Sequence, residues 1–529
     1  MATEVSVPSS TTSSHHSSEL RRNVTIWGSF MWGYADVGAD IYVALGIVMA
    51  AAQGATNLAF ALAGLVYILI GLAYTELASA YPVAGGGQYF TLRGLGDFWG
   101  FVAGSALLLD YTIDIALFAT GTAGYINFFF PAIRDYKLTF GPFVNINPIW
   151  CVEALFFILI LIWLNFKGIR ESSLLNEILG VFGIIIEGII IIIGFIFTWK
   201  PEMLVWHWQT QFPTWNNFMY GSSLAIISYV GLESISQVAQ ETRRPATIIP
   251  RTSLSLIFNV FIFATAFSTL SLGILDWREI ALREGDAVAK LAHEIAFIGT
   301  IAGPLTAILG ASFLFISTNS GIVGASRLSY SMSQFDFISS WFDKVHPKYK
   351  TPVRTIIVFS TIGILELILS FLTPHALDTL GNMYAFGASL GYTLVFIALI
   401  KLRFSDPYTP RPYKVPLNLK LKLKHRVVEF PVLGVLGLCG ISLVLVMVVL
   451  THEIGRIAGP LWVLGCFVYY AWYRKKRGLP VFGSIKRDWE SQQKQVLESA
   501  EEYDLLEQYK NALAERDRNR SPLEETENV

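Results

Sequence analysis

Two pairs of aspartates interrupt runs that are otherwise apolar, Asp36 with Asp40 and Asp110 with Asp114, and in each pair the acids are four residues apart. On a helix that spacing puts both carboxylates on one face. An Asp at the centre of a membrane-spanning helix costs roughly 2.5–3.5 kcal/mol on insertion scales, so such residues face a bundle interior or an aqueous cavity. Acids held there suit an amine or a metal cation. They also suit a coupling proton, because two close carboxylates do not readily both ionise. Glu233, in the sequence GLESIS, adds a fifth acid, and Glu187 in an Ile-rich run a sixth, read as a proton relay or a structural acid.

The elements that position these groups are long apolar helices. The chain has 529 residues, 53% hydrophobic and 15% charged, a composition that calls for a polytopic membrane protein. About twelve windows are long enough to span a bilayer. Gly33, Gly38 and Gly46 weaken the first span, 25–51, so it is expected to be discontinuous near 36–40. The sixth span is interrupted in the same way around Ser228, Gly231 and Glu233. Two interrupted spans five apart, in opposite membrane orientation, mark an inverted repeat, with residues 24–198 set against 217–402 and two last spans in 428–475. The fold class is therefore all-α, with one transport domain over residues 24–475.

Residues 1–23 read as a disordered start without a signal-peptide core, and 476–529 as a charged tail with one amphipathic helix through Trp489, Val496, Tyr503 and Leu506. Lys and Arg concentrate in the loops on one side. The richest such loop holds Lys401, Arg403, Arg411, Lys414, Lys420, Lys422, Lys424 and Arg426, so both termini are expected to be cytoplasmic in a cell membrane. Lys167 and Arg170 form a basic turn, and Glu241 with Arg243 and Arg244 forms a cytoplasmic gate or a surface ion pair. The Trp-rich loop 199–215 reads as interfacial, and the basic stretch following the eighth span, from about 325, as an amphipathic connection matching 85–96. Cys151, Cys439 and Cys466 show neither metal-ligand spacing nor a disulfide framework, and the chain has no P-loop.

Three stretches carry a resemblance: YVGLESISQVAQETRRPATIIPR (229–251), YTELASAYPVAGGGQYFTLRGLG (74–96) and GASRLSYSMSQFD (324–336). In these the chain resembles the amino acid-polyamine-organocation superfamily, which implies a five-plus-five inverted-repeat (LeuT-like) fold and a substrate site at the two helix breaks. The resemblance implies roles there for Gly38, Tyr229, Gly231 and Glu233. The chain departs from the family pattern at Asp40, which replaces a second glycine, and at Asp36, which is added upstream. A substrate carboxylate is repelled by such a surface, whereas an amine or metal cation is attracted to it. Asp36, Asp110, QYF and LLLDY also resemble a potassium-importing branch, which implies Asp36, Asp114, Ser228 and Tyr384 as ion-site counterparts. A titrating lysine of a proton-coupled branch falls on Gly183, so coupling must use other groups. Ser317 and Thr318 are adjacent hydroxyls like those completing a cation site in sodium-coupled relatives; a proton on Asp36, Asp110 or Asp114 is the alternative, placed first.

The resulting expectation is an ion-gradient-driven permease that imports amino acids, polyamines or related amines by alternating access. Its substrate-binding residues are Asp36, Gly38, Asp40, Asp114, Tyr229, Gly231, Glu233 and Tyr384. Its coupling residues for a proton or sodium ion are Asp36, Asp110, Asp114, Ser317 and Thr318. A potassium–proton symporter is the alternative, followed by an intramembrane aspartyl protease built on LLLDY and a nontransporting sensor. Expected partners are the lipid bilayer and a small cationic or zwitterionic substrate or potassium, with no cofactor, resident metal or nucleic acid.

Overall fold

The first apolar run folds as two helices, α1 (Ile26–Val37) and α2 (Asp40–Ala52), separated by Gly38 and Ala39. A Cβ at Gly38 would lie 2.5 Å from the Tyr34 carbonyl oxygen, to which the Gly38 amide donates at 2.9 Å, so the turn requires glycine. The computed structural model describes residues 26–83, 85–140, 143–167, 172–237, 242, 244–349, 351–423 and 426–527. The expected disordered start 1–23, Arg170, Glu241 with Arg243, and Lys424 lie outside the described residues.

From α2 the chain continues through α3 (Thr56–Ala80), the short amphipathic α4 (Gly87–Leu95), the long α5 (Asp97–Ile126) and one turn, α6 (Pro131–Arg134). After the hairpin β1 (Leu138–Phe140)–β2 (Phe143–Ile146) come α7 (Pro148–Lys167) and α8 (Ser172–Phe197). The Trp-rich segment forms α9 (Pro201–Thr210), started by a proline whose fixed φ suits the first helical turn, with Trp206 and Trp208 partly exposed. The second interrupted segment comprises α10 (Trp215–Leu224), a 3₁₀ stretch Ala225–Tyr229 and α11 (Glu233–Gln237). Between these pieces Gly231 adopts φ +103°, which an L side chain rarely tolerates.

The remaining helices are α12 (Pro245–Ile274), α13 (Trp277–Ala281), α14 (Ala287–His293), α15 (Gly299–Gln334), α16 (Val353–Ser370) and α17 (Ala376–Ser405). The hairpin β3 (Asn418–Leu423)–β4 (Arg426–Pro431) leads to α18 (Val432–Thr451), α19 (Gly455–Lys476), α20 (Trp489–Ser499) and α21 (Tyr503–Glu527). Among the described residues nine stretches are long and apolar enough to cross a membrane, and one of them, Ser29–Ala80, takes in most of α1 with all of α2 and α3. The apolar window of α5 is 94% buried against 17% for α7, so α5 is the central post and α7 a peripheral one. α5 packs on α15 and α17, α1 on α8 and α12, and α2 on α10.

Four sequence expectations are corrected. The all-α class holds for the long helices, but two connecting loops are antiparallel hairpins, with Val427 opposite Lys422 in the second. The basic connection expected from 325 is helical as far as Gln334, since SRLSYSMSQ contains no breaker; Leu328 and Met332 bury themselves beside Phe101, and the chain turns only at Asp336, φ +59°. The apolar run opening at Ser253 predicts a helix start there, but α12 begins at Pro245, eight residues earlier, after Arg244 in a left-handed conformation. The single tail helix is two, divided at Glu501 with φ +58°; Leu497, Leu506, Tyr509 and Leu513 face inward, and Tyr503 is exposed.

Candidate functional site

The two helix breaks meet. An Asp36 carboxylate oxygen lies 3.2 Å from where a Cβ on Gly231 would be, so the glycine that turns the second interrupted segment also admits the acid beside the first. Asp40, at the start of α2, stands within electrostatic reach of Asp36, of Asp114 on α5 and of Glu233 at the start of α11. Asp110, one turn before Asp114, faces Glu233 and Asp40. All five are buried, none more than 7% exposed. The charged neighbours of Asp40, Asp110 and Asp114 among the described residues are other carboxylates. Two like charges 4 Å apart repel by about 4 kcal/mol at an effective dielectric near 20, so such a group calls for a cation or a proton to sit with it.

Tyrosines wall the cluster. Tyr384 on α17 faces Asp114, and Tyr392, two turns further on, donates to Glu233 at 2.7 Å. Tyr74 meets the Tyr392 ring edge-on at 5.6 Å. Even so, Asp40 Oδ2, Asp114 Oδ1 and the hydroxyls of Tyr67 and Tyr74 have no hydrogen-bond partner among the described residues, and Asp110 and Glu233 lie within hydrogen-bond reach of each other, an approach that two carboxyls make only by sharing a proton. Buried polar atoms are normally satisfied, and a set of orphans converging on one place is a binding surface for something with donors or positive charge.

Not every expected residue joins the cluster. Tyr229 donates to the Phe60 carbonyl at 2.9 Å and stacks on Tyr67 at 5.0 Å, so its hydroxyl is committed to α3. Ser317 reaches the breaking helix, donating to the carbonyls of Ala35 at 3.2 Å and Asp36 at 3.3 Å. Thr318, its neighbour, donates to the Leu314 carbonyl within α15 at 2.8 Å, which leaves its oxygen lone pairs for a cation. Ser228 has no partner among the described residues and lines a small cavity with Tyr34, Gly38 and Glu187. Gly183 has no room for a long side chain, because a Cβ there would lie 2.1 Å from the Phe313 ring.

Sequence reasoning passed over Tyr392, whose signal was its position two turns from Tyr384, and Tyr67 and Tyr74, which gave no signal beyond their type. It also passed over Glu366 on α16, which accepts from Thr112 at 3.2 Å and lies outside the cluster.

A family model for amino acid permeases matches residues 25–472. The chain belongs to the amino acid permease family. Among similar proteins, a branched-chain amino acid permease of Bacillus subtilis is 26% identical over 393 residues, 72% of this chain and 81% of that relative. A methylthioribose transporter of the same organism is 26% identical over 393 residues, 72% of this chain and 80% of its own length. Cationic amino acid transporter 4 of Mus musculus is 26% identical over 389 residues, 71% of this chain but 58% of that longer protein. The chain is thus a multi-pass membrane permease and not an enzyme, and the protease reading of LLLDY is set aside because the family match runs straight through it.

Proposed function

We propose that this permease carries small substrates of net positive charge, cationic amino acids or related amines, into the cell by alternating access driven by an ion gradient. The observation that carries the reading is the convergence of five buried carboxylates on the two helix breaks, with other carboxylates as the charged neighbours of Asp40, Asp110 and Asp114 among the described residues. The name of the Mus musculus relative supports it. Asp36, Asp40, Asp114 and Glu233 receive the substrate cation, Gly38 and Gly231 let the backbone and Asp36 approach it, and Tyr384 orients Asp114. Asp110, with Asp36 and Asp114, takes the coupling proton. Tyr229 shapes the site through Tyr67.

The fold assigned to this function has twelve spans in a five-plus-five inverted repeat. It counts Ser29–Ala80 as two spans and adds the interrupted α10–α11 and α19 to the apolar helices. Both termini are cytoplasmic, in keeping with the Lys- and Arg-rich face.

A second reading rests on Ser317, whose contacts with the Ala35 and Asp36 carbonyls gather oxygens suited to a monovalent metal ion. That ion is a coupling sodium in a permease for amines, or the cargo itself in a potassium–proton symporter. Uptake into proteoliposomes separates these readings, with labelled arginine, putrescine, leucine and a potassium tracer under imposed proton or sodium gradients. Arginine or putrescine accumulating with the proton gradient, lost in Asp36→Asn, is the expected result. Leucine carried as fast as arginine overturns the charge selectivity, and movement of potassium alone overturns the amine reading.

A further inference from the structure

On the side of the broken helix that carries Tyr34 and Tyr42, Glu187 of α8 is buried and receives two hydroxyls. Tyr34 donates to Oε2 and Tyr42 donates to Oε1 at 2.8 Å. Tyr34 lies on α1, four residues before Gly38, and Tyr42 lies on α2, four residues after it. The two half-helices, joined in the chain only through Gly38 and Ala39, are thus fastened to opposite oxygens of one carboxylate. Phe313 of α15 holds both phenol rings edge-on, at 6.2 Å from Tyr34 and 6.0 Å from Tyr42. A small cavity lined by Tyr34, Gly38, Glu187 and Ser228 lies against the break, so there is free space beside the joint.

We propose that Glu187 is a positioning residue that clamps the two halves of the broken helix at a fixed angle, so that either half can swing only after one tyrosine leaves the carboxylate. The inference rests on the alternating-access reading, in which the half-helices move relative to one another. A hydroxyl donor needs an acceptor oxygen, and a carboxylate offers one to each tyrosine in the same plane. Glutamine at 187 offers one such oxygen and one amide group, so it holds one half-helix well and the other poorly. Glu187 does not touch the substrate. It acts through the angle at which Asp36 and Asp40 are presented.

The test uses the full chain, with its three cysteines replaced and spin labels introduced at Trp27→Cys on α1 and Trp163→Cys on α7. Distance distributions are then measured by pulsed electron paramagnetic resonance in lipid nanodiscs. The parent gives one population. Glu187→Gln and Tyr34→Phe each add a second, the double variant adds nothing further, and Glu187→Asp restores part of the parent distribution. An unchanged distribution in folded Glu187→Gln overturns the proposal. If Glu187→Gln fails to fold, Tyr34→Phe and Tyr42→Phe, which remove single hydroxyls, decide it by the same readout.

Arginine uptake supplies an independent arm: losing one of the two hydrogen bonds changes Vmax about tenfold while KM stays within about twofold. A raised KM at unchanged Vmax makes Glu187 a substrate contact and overturns the clamp. Should no probe be transported by any variant, the substrate reading fails, and the distance measurement still decides the clamp.

Discussion

At the Lys- and Arg-rich face, Glu76 is as buried as any described residue; it accepts from Arg403 at 2.6 Å and from the Val415 amide at 2.8 Å, and it forms an ion pair with Arg411 at 3.3 Å. Asp97 receives Arg474 at 2.8 Å and also Arg487, while Asp406 receives Arg93 at 2.7 Å. Burial alone would raise the Asp406 carboxyl, yet Arg93 and the hydrogen bonds around it hold it below the usual carboxylate range. Midway along the helices, equally buried carboxylates have other carboxylates as their charged neighbours. The same residue type is thus placed in two ways. Where a buried acid is matched by an arginine the arrangement secures the fold, and where acids face acids it is the arrangement that the proposed cation site requires.

The contrast is broken most severely at Glu76. Glu76→Gln takes the shared carboxylate from two nearly inaccessible arginines, leaving Arg403 its longer pair with Glu429 at 3.6 Å and Arg411 its carbonyl partners, and removing one partner of a buried pair costs about 3–5 kcal/mol, to be seen as a lowered unfolding midpoint in detergent. Asp114→Asn is expected to do the reverse: it relieves repulsion, so the midpoint holds or rises, while affinity for a cationic substrate falls by about 2–5 kcal/mol in an equilibrium binding assay. Loss of stability in Asp114→Asn with affinity intact would erase the distinction between the two regions.

His452 adds a buried base to the comparison. It lies just past the end of α18, with Nε2 2.9 Å from the Ser223 hydroxyl, and burial pushes its imidazole from 6.5 down to about 4. Below pH 6.5 the unfolded chain takes up a proton that the folded chain refuses. Stability is therefore fully present above that pH and falls as the pH drops towards 4, by at most about 3 kcal/mol. Unfolding midpoints measured from pH 7 to 4.5 should show this decline, and His452→Gln should flatten its share of it. The smallest change is Ser317→Ala, which removes one hydroxyl from the Ala35 and Asp36 carbonyls. It should weaken sodium or proton coupling by about 1 kcal/mol, measured as the gradient dependence of uptake, with substrate affinity unaltered.

Both helix breaks were legible because glycine and acid in an apolar run violate what lipid allows, and the i,i+4 aspartates were legible because the helical period alone aligns them. What chain pattern does not encode is the partner. Tyr229 and Tyr392 are equally plausible aromatic neighbours for Glu233 in one dimension, and only the packing of α17 sends Tyr392 to the acid while α3 takes Tyr229. Thr318 looked like the twin of Ser317, but successive helical residues point about 100° apart, and Thr318 turns back on its own helix. The helical run to Gln334 was hidden because the basic, amphipathic stretch reads as a separate connection after the span, whereas the end of the helix depends on the backbone at Asp336.

The pairing of Asp97 with Arg474 and Arg487 also has a consequence for biosynthesis. These partners are separated by 377 and 390 residues, so at about 5–20 residues per second the ribosome needs about 20–75 s to deliver the first arginine after the aspartate has emerged. During that interval a carboxylate destined for complete burial has neither arginine, and the ends of α5 and α19 cannot be locked together. Completion of the Lys- and Arg-rich face is therefore a late event in the birth of the protein. A nascent chain stalled before residue 474 would present Asp97 unpaired, a chemical mark by which an unfinished copy differs from a finished one.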